Sequence, residues 1–470
     1  MPTYTTLPLL LLVLLLWRWT RGNLLAILAF TSIFDAASVL NFGALGVSPW
    51  LLALLLCLPV KIARGQLHPR LAPGSNRTTL FLLVSFLACA AFSGFVYPIL
   101  FHGTPIIRAG DLVALAWGMP NVAQLCYLAA AAVVFLLTFA STPEERAEAI
   151  TWYVRGCIVA TFIALYQLAN AVLHVPYPNQ VLYSNTAHVV YRAYRINGMW
   201  RLNGSFTEAS DMAGSLIGGL GILGWDLIHN PLKASRTLCF ALMLAAILMT
   251  LSTTGYACLA LMFALGAGLY LRYVVRSGGV DPAKLVVLVL LAMTLGTVFV
   301  VSPGARTSAG KLFSSVVLDK RGTDSYKVRT ESQGDALRTL AATDYLGAGL
   351  GSTRASGLAY TLLASTGVAG LLLFTVGYLS LFLPFFRPPR RRPGPGSEDR
   401  LLERSMVALT LLLCGMVLAG SEPIMPVLWL LFGIALVSPR GHAGAGRARR
   451  SLAGGYVYVQ HTAELEAVPR

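Results

Sequence analysis

Arg195, Arg201, Glu208 and Asp211 fall within one short stretch of the chain, and Arg329, Glu331, Asp335 and Arg338 within another. Arginine stays charged at any physiological pH and presents a planar fork of N–H donors. That fork matches phosphate or diphosphate oxygens better than the point charge of lysine does. A carboxylate beside such forks either neutralises them or takes a proton from a substrate hydroxyl. Arg195, Arg201, Arg329 and Arg338 are therefore the candidate ligands of an anionic group, and Glu208 and Glu331 the candidate general bases. Glu208 and Asp211 also stand three apart where an apolar run begins, so electrostatic capping of a helix start is the alternative reading. Capping suffices for Asp211, whereas for Glu208 capping, pairing with an arginine and accepting a proton all remain open on the residues alone.

These residues must be held by a membrane protein. The 470 residues are 56% hydrophobic and 12% charged, with a mean hydropathy of +0.68. Soluble domains do not have this composition. Apolar runs of spanning length recur near 4–17, 23–43, 48–62, 78–99, 121–141, 152–174, 208–228, 236–252, 256–275, 283–302, 356–386, 405–420 and 424–438. The expected fold is an all-α polytopic helix bundle with about thirteen spans, in the range of about 12–14. Residues 1–440 form the membrane domain, and 441–470 a loose cytoplasmic tail. The formal charge of +16 is carried mostly by short loops between spans, so topology accounts for it and nucleic acid is not an expected partner.

The loop charges set the orientation. Arg18, Arg21, Lys61, Arg64, Arg70, Arg77, Arg146, Arg155, Lys233, Arg236, Arg272, Arg276, Lys284, Arg387 and Arg390 fall on one side, which the positive-inside rule makes cytoplasmic. The opposite side receives 100–120, 175–207, the turn at Ser252-Thr253-Thr254-Gly255, and 303–355. The segments 175–207 and 303–355 are both basic, against the usual bias, and both carry the candidate arginines.

Within the second, Tyr326 to Ala342 is predicted to be helical. Lys327, Glu331, Asp335 and Arg338 share a face, with Val328, Leu337, Leu340 and Ala341 as the apolar counterpart. Such a helix either lies across the mouth of the bundle or is a salt-bridged surface helix without a ligand. Asp35, inside an apolar run, is the one anomalous acid, since charge in lipid is costly. The cysteines all fall in predicted spans without a Cys-x-x-Cys pair, and the histidines are scattered, so neither disulfides nor a metal site is expected. Gly347, Gly349 and Gly351 follow no strand and are read as permitting a tight backbone path rather than binding a nucleotide.

Arg201-x-x-Gly204-x-Phe206-x-Glu208-x-Ser210 resembles the R-x-x-G-x-F-x-E-P-S stretch of Wzy-type polysaccharide polymerases, within the O-antigen ligase/polymerase superfamily. Leu251-Ser252-Thr253-Thr254-Gly255 resembles that family's conserved turn. Arg329 with Asp335-Ala336-Leu337, followed by Leu346-Gly347-Ala348-Gly349-Leu350-Gly351, resembles its external element. Ala209 replaces the family's proline, and 351–360 lacks the histidine typical of the ligase branch, which favours polymerase over ligase.

The resemblance implies a glycosyltransferase of the bacterial inner membrane with its active site facing the periplasm. Donor and acceptor would be polyprenyl-diphosphate-linked glycans, with the diphosphate lipid as leaving group and with no metal or cofactor. Membrane lipid and chain-length regulators or envelope assembly proteins are the further partners implied. A ligase acting on a lipid core or protein is the alternative within the superfamily, and a lipid-linked glycan flippase the alternative outside it.

Overall fold

The computed structural model describes residues 4–42, 45–67, 76–108, 111–186, 194–196, 199–277, 279, 324–383, 397–420 and 423–437. The predicted span 283–302, residues 303–323 of the long external segment and the tail lie outside the described residues. In order, the elements are α1 (Thr6–Trp19), α2 (Leu24–Thr31), β1 (Leu40–Phe42), β2 (Leu45–Val47), α3 (Pro49–Ala63), α4 (Arg77–Leu100), β3 (Pro105–Arg108) and β4 (Asp111–Ala114). There follow α5 (Met119–Ala140), α6 (Pro143–Leu173), the single turn α7 (Asn179–Leu182), β5 (Tyr194–Ile196), β6 (Met199–Arg201), α8 (Ala209–His229) and α9 (Ala234–Leu248). The last are α10 (Thr253–Ser277), α11 (Asp324–Ala342), α12 (Leu358–Ser380), α13 (Ser397–Ala419) and α14 (Pro426–Val437).

The chain is an all-α polytopic membrane bundle. Among the described residues seven helices are long and apolar enough to cross a membrane, and α1, α3, α9 and α14 are shorter apolar helices. The strands form only three two-stranded antiparallel hairpins. Local chemistry fixes where helices begin. Thr142 and Glu145 form a capping box at the start of α6, each side chain bonding the other's backbone N–H (3.2 and 3.0 Å). Asn23 and Asn76 cap α2 and α4. His174, in the left-handed region at φ 56°, ends α6.

Helix α8 is the central element, with 83% of its apolar window buried. It packs most extensively on α13, and small residues make that crossing close. A Cβ at Gly415 would lie 2.8 Å from the Gly214 Cα. Gly214 and Gly218 are four apart on the stripe that meets α13, the arrangement that lets helix backbones approach inside a bilayer. Within the same core an aromatic group of Phe86, Phe135, Phe374, Trp429 and Phe432 joins α4, α5, α12 and α14, with Phe86 and Phe374 centroids 5.1 Å apart. All seven cysteines are free.

Two expectations are corrected. The span predicted at 23–43 is helical only to Thr31. Beyond it, Ser38, Asn41 and Ser184 exchange hydrogen bonds of 2.9–3.0 Å, so the chain leaves the helix to satisfy polar groups, and Asp35 lies in this non-helical turn. The span predicted at 356–386 is broken at Gly367 (φ 69°, ψ −168°). There the carbonyls of Tyr345 and Leu346 occupy the space of a Cβ, at 2.5 and 2.4 Å. The Gly347–Gly351 segment docks on this break, with Ala348 and Gly349 N–H groups donating to the Ala364 and Ser365 carbonyls (2.8 and 3.0 Å). At Gly349 (φ 94°) the Ser93 carbonyl would meet a Cβ at 2.6 Å, which is why only glycine fits.

Candidate functional site

The N-terminus of α8, the hairpin β5–β6, the turn between α9 and α10, helix α11 and the C-terminal end of α13 meet at one end of the bundle. Ion pairs Arg404–Asp226 (3.1 Å), Arg272–Glu403 (3.2 Å) and Lys61–Glu145 (2.8 Å) mark the other end. Asp226 is about 27 Å along α8 from Glu208 at the helical rise per residue.

The stretch from Arg201 to Ser210 is clamped residue by residue. Gln167 Oε1 accepts from the N–H groups of Asn203 and Gly204 (3.1 and 3.0 Å), and its Nε2 donates to Asn203 Oδ1 at 2.7 Å. The Asn203 Nδ2 donates to the Phe206 carbonyl at 2.7 Å, and the Ser205 hydroxyl to the Ile33 carbonyl at 2.7 Å. Tyr183 and Tyr177 hydroxyls donate to the Gly204 carbonyl (2.8 and 3.2 Å). Burial, with Tyr183 alongside, pushes the Tyr177 hydroxyl well above its ordinary value, so it remains a donor at any working pH. Phe206 is fully buried. The peptide that carries Glu208 is thus fixed from both sides.

Glu208 holds the N-cap position of α8, yet its side chain makes no capping bond. Its Oε1 is turned to two arginines, 3.1 Å from Arg329 Nη2 and 3.7 Å from Arg201 Nη2. Each guanidinium is itself positioned. Arg201 Nε donates to the Thr250 carbonyl at 3.1 Å, in the turn where the Leu202 N–H also reaches the Met249 carbonyl (3.1 Å). Arg329 Nη1 donates to the Leu418 carbonyl at 3.2 Å and Nη2 to the Ser210 hydroxyl at 3.4 Å. Leu418 belongs to the last turn of α13, whose unpaired carbonyls and dipole favour a cation. The arginine side chains are 12% and 18% exposed and Glu208 27%, so the cluster is sheltered yet open to solvent on the glutamate side.

Behind it, the Thr207 hydroxyl lies between two carboxylates, 2.9 Å from Asp211 Oδ2 and 3.3 Å from Asp35 Oδ2. Sequence reasoning flagged Asp35 as anomalous but gave it no chemistry, and it missed Thr207. The signal for Asp35 was an acid amid apolar residues. The carbonyl contacts from Thr250 and Leu418 left no signal, because a backbone carbonyl has no residue type.

A scan against protein-family models and a search of curated proteins returned no match for this chain.

The structure brings Arg201, Arg329 and Glu208 together, but not Arg195, Arg338 or Glu331. In the hairpin, Arg195 pairs with Trp200 and Tyr194 with Arg201. Neighbours along a strand face opposite ways, so Arg195 projects from the face opposite Arg201. It stacks over Trp200, 4.5 Å from the ring centroid. On α11, Arg338 is nine residues past Arg329, a rotation of about 180°, and Glu331 is about 200° round. The buried side of α11 carries Ala336 and Leu340, in line with Arg329, and Thr339 beside them. Of the expected apolar counterpart only Leu340 is buried, and Val328 and Leu337 are exposed. Arg338 pairs instead with Asp335 at 3.2 Å and is 74% exposed, and Glu331 is exposed. Among the described residues no group of three or more histidine, cysteine or acidic side chains is arranged to hold a metal ion.

Proposed function

We propose that the protein is a membrane glycosyltransferase that extends a polysaccharide from polyprenyl-diphosphate-linked repeat units at the outer face of the bacterial inner membrane. The observation that carries this reading is the convergence of Arg201 and Arg329, from segments far apart in the chain, on the Glu208 carboxylate. The resemblance of the Arg201–Ser210 motif to the polymerase family supports it.

Two sheltered guanidinium groups aimed at one point suit a diphosphate, which spreads its charge over several oxygens. Glu208 lies at that place, 3.1 Å from Arg329 and 3.7 Å from Arg201, and offsets one of their two charges. A diphosphate held by Arg201 and Arg329 takes the place of the carboxylate between them and sets the reacting sugar carbon beside Glu208. The acceptor hydroxyl oxygen then bonds to that carbon while its proton passes to Glu208. The bond from carbon to diphosphate oxygen breaks, and its electron pair leaves with the lipid diphosphate. The two arginines stabilise the charge that develops there, the role a metal ion plays in other diphosphate chemistry. The lipid tail remains in the bilayer, reached laterally between helices.

Purified protein in lipid nanodiscs, supplied only with lipid-linked repeat units, tests this. The expected product is a ladder of longer chains, lost on Arg201→Ala and on Arg201→Lys. Lysine keeps the charge but lacks the fork. A wild-type-like ladder from both variants would sink the assignment. Product that appears only after a lipid-core or protein acceptor is added would indicate a ligase instead.

A further inference from the structure

Helix α6 has 31 residues and is about 46 Å long, against a hydrocarbon core of about 30 Å. Its C-terminal turns lead into the loop that carries Tyr177 and Tyr183. Tyr166 and Asn170 stand four apart on that end, and His174 closes it. The chain reverses at His174 and returns Tyr177 onto Tyr166, with ring centroids 5.5 Å apart. The β5–β6 hairpin closes the other side with the face that carries Arg195 and Trp200. Asn170, Ala171, Val172, His174, Arg195 and Trp200 line an open groove of about 670 Å³.

The geometry points to this groove as a binding site for an acidic sugar residue of the glycan. Its carboxylate would pair with Arg195, and its ring would lie against Trp200. A pyranose has one face of C–H groups, which packs on an aromatic ring, and a rim of hydroxyls, which suits amides and imidazoles. The groove supplies both. Among the described residues Arg195 has no carboxylate partner; its charge is held over an indole. An aromatic face stabilises a cation but leaves guanidinium N–H donors for an oxygen-rich ligand. Asn170, His174 and Arg195 give the groove polar groups that a sugar can use and an acyl chain cannot. Trp200 and Arg201 are consecutive, so the groove and the diphosphate site are the two faces of one strand. The inference rests on the glycan-transfer reading for the identity of the ligand, but its test does not require transfer.

Isothermal titration of the full-length protein in nanodiscs with hyaluronan tetrasaccharide, which alternates uronate and N-acetylhexosamine, is compared with titration by neutral chitotetraose. The acidic tetrasaccharide should bind at least about tenfold more tightly. Arg195→Gln should remove that preference, and Trp200→Ala should weaken both ligands at least about tenfold. Arg195 is exposed, so its replacement leaves folding untouched and keeps the test sound if Trp200→Ala is unstable. Arg201→Ala should lose transfer and keep saccharide binding. Binding of neither sugar, or binding unchanged in Arg195→Gln, overturns the inference. So does an Arg195→Gln variant whose only loss is affinity for phosphatidylglycerol in the disc. Wild-type transfer without saccharide binding sinks the groove alone, and saccharide binding without transfer sinks the glycosyltransferase reading alone.

Discussion

Arg329 Nη2 lies 3.1 Å from Glu208 Oε1, although 121 residues separate the two in sequence. Both partners are sheltered, and each is held by further bonds. Arg329 is anchored by the Leu418 carbonyl and the Ser210 hydroxyl, and Glu208 by the clamped peptide that precedes α8. The pair therefore reports how α11 docks on the bundle as well as how the site is charged.

Glu208→Gln keeps the shape of the side chain and removes its basicity. If Glu208 accepts the hydroxyl proton, chain extension should fall by about 100-fold or more. Thermal unfolding in detergent should change little. Extension within about twofold of wild type would remove Glu208 from the chemistry and leave it a structural counter-ion.

The two faces of α11 can be separated by a pair of variants. Arg329→Ala should cost about 100-fold or more in extension, as removal of a positioned charge donor commonly does. Arg338→Ala breaks only an exposed pair with Asp335 and should stay within about twofold. Equal losses in the two would mean that the helix docks by another face. The readout is ladder length at fixed protein in the membrane.

Gln167 touches no proposed reacting group, yet it holds the N–H groups of Asn203 and Gly204. Gln167→Ala leaves two buried donors unsatisfied, at about 1–3 kcal/mol each. We expect a lower midpoint of thermal unfolding together with a reduced rate at saturating substrate. Gln167→Glu keeps the accepting oxygen and should recover more activity than alanine. Activity in Gln167→Ala equal to wild type would show that the motif is held without the clamp.

The α8–α13 crossing predicts a stability defect remote from the chemistry. Gly415→Val places side-chain atoms where the Gly214 backbone lies, at 2.8 Å from a Cβ. Overpacking of this kind costs about 1–3 kcal/mol, and α13 also supplies the Leu418 carbonyl to Arg329. Lower thermal stability and lower activity should therefore appear together. An unchanged unfolding midpoint would show that the two helices separate without penalty.

Much of the plan was written in particular residues. The apolar runs identify most helices locally, because hydrophobic spacing acts over a few residues, whereas the span expected at 152–174 begins at Pro143, where the Thr142–Glu145 capping box that starts it went unread. The helix of the long external segment was placed at 326–342 and is found at Asp324–Ala342. Its docking face was not legible, since the aligned row Lys327, Glu331, Asp335 and Arg338 reads as the notable one, whereas the less regular row through Arg329, Ala336 and Leu340 is the one buried. Sequence hydrophobicity also extended α2 past Asp35, because the polar partners that unwind it lie near Ser184, some 146 residues away.

By itself the sequence determined that the chain spans a membrane repeatedly and that Arg195, Arg201, Arg329 and Arg338 are of a type suited to an anionic ligand, with Glu208 and Glu331 as carboxylates near them. Both follow from residue type and short-range spacing. Only the tertiary structure decided which basic residues act together. The register of the hairpin sends Arg195 away from Arg201, and the packing of α11 sends Arg338 and Glu331 away from Arg329. Register and docking face are set by contacts between segments distant in the chain. Hence four arginines and two glutamates, undivided within each type by sequence, became three converging side chains, one groove residue and two residues facing solvent.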